Sequence, residues 1–191
     1  IIVDILKQAN FKEKINLMSQ STFSLINKDF TTILKTILDV EIMPFKDLKI
    51  KSIFLHNSLT DILVALELFN VLQIFDDHMK NKYKIIPGYC TLNFFSLSNF
   101  LKKNNYQKPT IMAPFNSIGF QMNPSKSQNE NILKNSDANI IAMNTLASGF
   151  ITPKEAYKYI SQFPEIKSFI IGSSSKRNIF ETFGEINKNI F

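Results

Sequence analysis

Residues 139–163 read NIIAMNTLASGFITPKEAYKYISQF, and the order of residue types in this stretch decides the fold class. Residues 139–144 form an apolar run without polar alternation, the pattern of a parallel strand covered on both faces. A polar turn carrying Gly149 follows. Thr152-Pro153-Lys154-Glu155 then starts a helix, with Thr as N-cap, Pro in the first helical position and Glu placed to close a capping box. Ala156, Tyr159, Ile160 and Phe163 fall on one face of that helix. Strand, turn and capped helix make one βα unit.

The same grammar recurs along the chain. Apolar runs at 15–18, 52–55, 84–89, 110–115, 139–144 and 168–171 each end in small or polar residues. Their ends lie about thirty residues apart, the length of a strand, a crossover helix and two turns. Helical patterns lie between them at 28–38, 59–78 and 94–103, and a last helix capped by Ser175 carries Ile179, Phe180, Phe183 and Ile186. Gly88, Gly149 and Gly172 lie at or just after strand ends, where a loop turns sharply or approaches a ligand. With no linker and no low-complexity segment, residues 1–191 read as a single domain of six βα units around a parallel sheet.

An eight-unit barrel typically needs about 250 residues. The expected fold is therefore a six-stranded open α/β sheet or a barrel lacking two units. Residues 1–12 look like the end of a helix, and the first residue is Ile rather than Met. Both favour a fragment whose first two βα units are absent. Such a barrel would have open edges, so the isolated chain is expected to be marginally stable or to associate.

Composition narrows the function. The 191 residues are 45% hydrophobic and 20% charged, an ordinary globular balance, and the core should be rich in the 18 Phe. A single cysteine, Cys90, excludes an internal disulfide framework and points to a reducing compartment, the cytoplasm. The net charge of +6 permits an anionic partner. Arg177, however, is the only arginine, which argues against sequence-specific nucleic-acid reading. No apolar run is long enough for a membrane span, and the first residues lack the basic region of a signal peptide. No metal site is expected: His56 and His78 are not at ligand spacing, and Cys90 stands alone. His78, in the charged helix end Asp76-Asp77-His78, is expected to face solvent. Residues 173–175 lack the Gly-x-Ser-x-Gly turn of a hydrolase nucleophile.

Five strand ends, in order, resemble the aldo/keto reductase family, a (β/α)8 barrel. Residues 51–56 (KSIFLH) resemble its fourth strand, which ends in the active-site histidine. Residues 83–91 (YKIIPGYCT) resemble the fifth, 111–116 (IMAPFN) the sixth, 140–152 (IIAMNTLASGFIT) the seventh, and 169–182 (FIIGSSSKRNIFET) the eighth strand with its phosphate loop. The resemblance implies an NADPH-dependent oxidoreductase acting on a small carbonyl substrate. It implies that His56 is catalytic. It also implies that Asn116, Leu146, Gly172, Ser173, Ser174, Ser175, Lys176, Arg177 and Glu181 hold NADP(H), Glu181 at the adenine and Thr182 where the family often has Asn.

Physical chemistry supports part of this without the resemblance. Ligands bind at the carboxyl ends of parallel strands. Residues 172–177 offer helix N-terminal amides, three hydroxyls and two cations, a plausible phosphate cradle; the other reading is a capped surface helix behind a hydrophilic turn. His56 at a strand end can polarise a carbonyl; the other reading is a histidine bonded to nearby backbone.

The departures from the family are equally specific. Its tyrosine acid and supporting aspartate would precede Ile1. Its lysine position reads Met18-Ser19-Gln20. Met112 replaces a glutamine that contacts the nicotinamide amide, Met143 replaces the aromatic that stacks on the ring, and Cys90-Thr91 replaces Ser-Asn. A barrel of the same descent that binds a phosphorylated or nucleotide ligand without reducing anything is the alternative. A structural or partner-binding protein is the third possibility.

Overall fold

The structure is a computed structural model that describes residues 30–190. The expected first strand at 15–18, the Ser19-Gln20 position and the start of the helix at 28 lie outside the described residues.

Within them the chain is α/β. Five strands, β1 (Ser52–Leu55), β2 (Ile86–Cys90), β3 (Thr110–Pro114), β4 (Asn139–Met143) and β5 (Ile166–Phe169), form one parallel sheet in the order β1-β2-β3-β4-β5. Seven α-helices accompany them: α1 (Phe30–Ile42), α2 (Asn57–Ala65), α3 (Phe69–His78), α4 (Phe94–Lys103), α5 (Lys126–Leu133), α6 (Pro153–Ile160) and α7 (Lys176–Asn189). Strand order follows chain order with no reversal, and reversal is what marks a doubly wound sheet. β3 and β4 pair without interruption from Thr110↔Asn139 to Pro114↔Met143, whereas a bulge at Ile140/Ile141 offsets β4 against β5.

Three elements differ from the sequence expectation. The helix expected over 59–78 is two helices, α2 and α3. The chain breaks at Glu67, whose φ is 54°, and the Leu68 amide donates to the Leu63 carbonyl at 2.9 Å. Apolar residues continue at helical spacing through the break, so periodicity alone does not reveal it. β5 begins and ends two residues before the expected 168–171, which leaves Ile170 and Ile171 as the first residues beyond the strand. Helix α5 was not expected at all. Its sequence KSQNENIL has apolar residues only at its end, and its start is signalled by Ser125, whose hydroxyl accepts from the Gln128 amide.

The chain divides into two compact units, one built from residues up to Ile53 with Asn70–Pro87, the other from Phe54–Phe69 with the residues from Gly88 onward. The first unit contains a part-buried polar knot. Asp39 on α1 accepts from His78 Nε2 at 2.6 Å, Lys82 Nζ at 2.6 Å and the Tyr83 hydroxyl at 2.5 Å. Burial raises the Asp39 pKa, but these three donors outweigh it and hold the carboxyl below its ordinary value. Burial and the neighbouring carboxylate together push the Tyr83 hydroxyl up. His78 is buried, which corrects the expectation that it faces solvent. The reason is helical phase: Val71, Phe75 and His78 are four and three residues apart, so His78 continues the buried stripe of α3.

In the second unit, Ala147, Ile151, Ala156, Tyr157 and Ile186 form a cluster against which Leu146, Phe169, Ile171 and Ile190 pack. Phe94 and Phe115 meet edge to face with centroids 5.4 Å apart. Gly88 in β2 permits a close approach: a Cβ there would lie 2.5 Å from the Phe54 ring. The expected capping box of α6 is complete, with Thr152 Oγ1 accepting from the Glu155 amide and the Glu155 carboxylate accepting from the Thr152 amide at 3.0 Å. The Thr152 amide and the Thr152 hydroxyl both donate to the Glu155 carboxylate and lower its pKa.

Candidate functional site

The second unit carries a cleft of about 860 Å³ at the carboxyl ends of β3, β4 and β5. Met112 from β3 and Met143 from β4 line it. Two loops build the rest: the turn that leaves β4 for α6, and residues 170–174 with the first turns of α7, where Asn178, Glu181 and Thr182 face the cleft. A concave site at these strand ends is where parallel βα proteins take ligands.

The β4 turn is tight and left-handed. Asn144, Ala147, Ser148 and Gly149 have φ of 51°, 46°, 58° and 89°. Glycine meets this without strain, but Ala147 and Ser148 each carry a cost of about 1 kcal/mol. Four backbone bonds hold the turn: the Ala147 amide to the Asn144 carbonyl at 2.9 Å, Gly149 to Leu146 at 2.8 Å, Phe150 to Ala147 at 3.2 Å and Ile151 to Leu146 at 3.4 Å. Buried Ala147 and Ile151 anchor it on either side of Phe150, which is itself 81% exposed.

The α7 side is polar. Ser175 caps the helix, its hydroxyl accepting from the Asn178 amide at 3.2 Å. Ser173 donates to the Ser175 carbonyl at 3.1 Å, and Asn178 Nδ2 donates to the Ser174 hydroxyl at 3.3 Å. Residues 172–180 are all exposed, so this cap and its cations open to solvent.

The cleft brings together five residues expected at a cofactor site: Leu146, Gly172, Ser173, Ser174 and Glu181. Ser175, Lys176 and Arg177 occupy the adjoining cap and the first two positions of α7, next to the lining rather than in it. Asn116 is elsewhere. It is fully buried, its Nδ2 donates to the Phe120 carbonyl at 2.9 Å and the Asn144 carbonyl at 3.3 Å, and its Oδ1 accepts from the Phe120 amide at 2.7 Å. Asn116 thus ties the loop after β3 to the residue at which the β4 turn begins.

His56 is the exposed N-cap of α2 and is not among the residues lining the cleft. Its Nδ1 accepts from the Ser58 amide at 3.3 Å, which places the neutral ring's proton on Nε2. A short chain of contacts runs from the neighbouring residue to the cleft. The Asn57 amide faces the Cys90 sulfur, and Cys90 Sγ lies 3.7 Å from the sulfur of Met143, which lines the cleft. Burial pushes the Cys90 thiol up, the Asn57 amide lowers it, and Asp61 raises it further. Its net position above the ordinary thiol range keeps it protonated and unreactive at neutral pH. Asp61 also fixes the loop after β2, accepting from the Thr91 hydroxyl and from the Leu92 amide at 3.1 Å.

Sequence reasoning missed Phe150, Ser148 and Asn178 as cleft residues. The signal for the first two was the Gly149 turn itself. Asn178 is the third residue of α7, one turn from Glu181, and helical phase brings both to one side. Among the described residues, no cluster of three or more His, Cys, Asp or Glu could hold a metal ion, and no helix is long and apolar enough to cross a membrane. Compared with protein-family models and with curated proteins, the chain matches none.

Proposed function

We propose that this chain is a (β/α)8-barrel-type protein of aldo/keto reductase descent that binds NADP(H) in the cleft and reduces a small carbonyl compound. The observation that carries the reading is the convergence of Leu146, Gly172, Ser173, Ser174 and Glu181 on one cleft beside the capped start of α7. These residues come from two loops and helix α7, and the family resemblance implies a cofactor contact for each of them. The unreversed strand order supports the barrel, because sequential parallel strands joined by right-handed crossovers wind in one direction.

The residues fit the phosphate end of the cofactor. Ser175 occupies the Asn178 amide, and the amides ahead of it in the first turn are the donors that an anion takes at a helix start. Lys176 and Arg177 add charge, and Glu181 can accept from an amine or hydroxyl of the ligand. When bound, the cofactor supplies the hydride. At the other end Met112 and Met143 offer soft packing and no strong hydrogen bonds. His56, with its proton on Nε2, has the tautomer needed to donate to a carbonyl oxygen.

The sulfur lining of the cleft supports a second reading, a binder of a phosphorylated or nucleotide ligand that does not reduce it. Titration of the full chain with NADPH, followed by oxidation of bound NADPH against a panel of small aldehydes and ketones, separates the two. Saturable binding that weakens at least about tenfold when Lys176 and Arg177 become Ala supports the site, since two charged contacts at 1–2 kcal/mol each account for that much. NADPH consumption that falls in His56→Gln supports reduction. Binding without consumption leaves the second reading, and no binding by the folded chain removes both.

A further inference from the structure

We infer that the groove between α5 and α6 docks an acidic peptide segment of a partner protein. This groove and the cleft at the strand ends share no lining residue, so the inference holds whether or not a cofactor binds in the cleft.

The groove measures about 600 Å³. Lys126, Glu130 and Lys134 line one wall at intervals of four residues, which keeps them on one side of α5. Glu155, Lys158 and Gln162 line the other wall from α6 and the residues just after it. Buried Tyr159 and Phe163 form the floor, edge to face with centroids 5.1 Å apart.

Three lysines and two glutamates thus face one space, and their partners decide its sign. Glu130 accepts from the Tyr159 hydroxyl at 2.7 Å and lies 3.8 Å from Lys126 Nζ. Burial, and then the bond to Glu130 and its charge, push the Tyr159 hydroxyl pKa up, so the hydroxyl stays a donor. The Glu155 carboxylate is taken by the capping box, accepting from the Thr152 amide and hydroxyl. Lys126 is also committed: it donates to the Ser117 carbonyl at 2.7 Å and stands over the Tyr159 ring, 5.0 Å from its centroid. Lys134 and Lys158 differ from it. Both are exposed, and among the described residues neither ammonium group has an acceptor. One free cation on each wall, with both carboxylates already engaged, complements an anionic partner.

The shape favours a chain over a small ion. From 126 to 134 a helix rises about 12 Å at 1.5 Å per residue, the span of three or four extended residues. Successive side chains of an extended segment point to opposite sides, so neighbouring carboxylates can reach Lys134 and Lys158 on the two walls. Gln162 Nε2 donates to the Lys158 carbonyl at 3.2 Å, which leaves its carbonyl oxygen open to a peptide N–H.

The test titrates the full chain, isotopically labelled for NMR, with acetyl-Glu-Glu-Phe-Glu-Glu-amide and with the same peptide carrying Gln or Lys in place of Glu. The Glu peptide should give saturable shifts centred on residues 126–134 and 155–163, and its binding should weaken as salt is raised. It should bind at least about fivefold tighter than the Gln peptide, the gain expected from two exposed charge contacts, and the Lys peptide should not bind. Lys134→Glu with Lys158→Glu should reverse the preference in favour of the Lys peptide. Lys49→Glu with Lys102→Glu makes the same change in net charge elsewhere and should leave the preference as it is. If the reversed chain does not fold, Lys134→Ala with Lys158→Ala gives the reading instead: the Glu and Gln peptides should then bind within about twofold of each other. No binding of the Glu peptide, shifts centred elsewhere, or an equal effect of the two Lys→Glu pairs overturns the inference. Tighter binding of a dT decamer with the same dependence on Lys134 and Lys158 would make the groove a nucleic-acid contact and likewise overturn it.

Discussion

Replacing Asn116 by Ala tests whether this residue serves the ligand or the loops that build the cleft. Its side chain makes three hydrogen bonds, two at 2.7 and 2.9 Å to the Phe120 backbone and one at 3.3 Å to the Asn144 carbonyl, and it is wholly shielded from water. At about 1 kcal/mol net for each bond, the Ala variant should lose roughly 3 kcal/mol of unfolding free energy. In urea, with a slope of about 1–3 kcal/mol per molar, the midpoint should fall by about 1 M or more. Asn116→Asp sharpens the argument. The carboxylate keeps the bond from the Phe120 amide but turns a donor into an anion facing two carbonyl oxygens. Relative to the native chain, its loss should therefore be larger at pH 7 than at pH 4, where protonation restores one donor. The assay is urea unfolding followed by tyrosine fluorescence and circular dichroism, with NADPH titration of the folded fraction alongside. A loss below about 1 kcal/mol combined with abolished binding would refute the loop-tie account and return Asn116 to the ligand.

Three further outcomes follow from the same geometry. Gly88→Ala places a methyl group 2.5 Å from the Phe54 ring, so it should cost about 1–3 kcal/mol, and Phe54→Leu in the same chain should recover at least half of that; an unchanged melting temperature would show that the strands shift freely. Asp39→Asn should lose about 1–3 kcal/mol at pH 7 by weakening the bonds from His78, Lys82 and Tyr83. Because the folded-state pKa of Asp39 lies below its ordinary value, its contribution is present above about pH 4 and lost as the pH falls through the folded-state pKa, so the gap between native and variant chains in urea should shrink by about pH 3. A gap that is constant from pH 7 to pH 3 would remove the carboxylate from that account.

Much of the fold was legible because βα units carry local signals. The 52–55 run and β1 coincide, as do the 94–103 pattern and α4, and the Thr152 capping box forms as spelled. In each case the deciding interaction lies within a few residues of the signal. What escaped was decided over longer distances or by backbone conformation. Glu67 breaks a helix by adopting a positive φ that no glycine announces. Helix α5 is largely polar and carries few apolar residues; Asn129 on it is buried and donates to the Asn123 and Ser125 carbonyls at 2.9 and 2.7 Å, so a polar residue does the anchoring that the search for apolar stripes overlooks. His78 was misread for the converse reason: its acidic neighbours suggested a solvated end, while its phase on α3 put it inward against Asp39.

The candidate site divides along the same line. Gly172, Ser173 and Ser174 were legible as a strand-end turn because small, polar residues join a strand to a capped helix there, and topology puts such a turn beside the cleft. Asn116 carried a family-like motif, but a motif gives a residue type and not the direction of its side chain. An asparagine has two donors and an acceptor oxygen, and a residue that reads a ligand must leave some of them open. Asn116 has both ends of its amide engaged by the backbone, so its effect on a ligand passes through the position of Asn144 and the turn that follows. Phe150 shows the opposite case. Nothing in the string IIAMNTLASGFIT distinguishes a buried Phe from an exposed one; the left-handed run before it turns the ring outward. The backbone angles of the β4 turn therefore connect the two halves of the site. Asn116 holds the start of that turn, Phe150 stands at its end, and a change at the first should shift the second without touching the α7 cap.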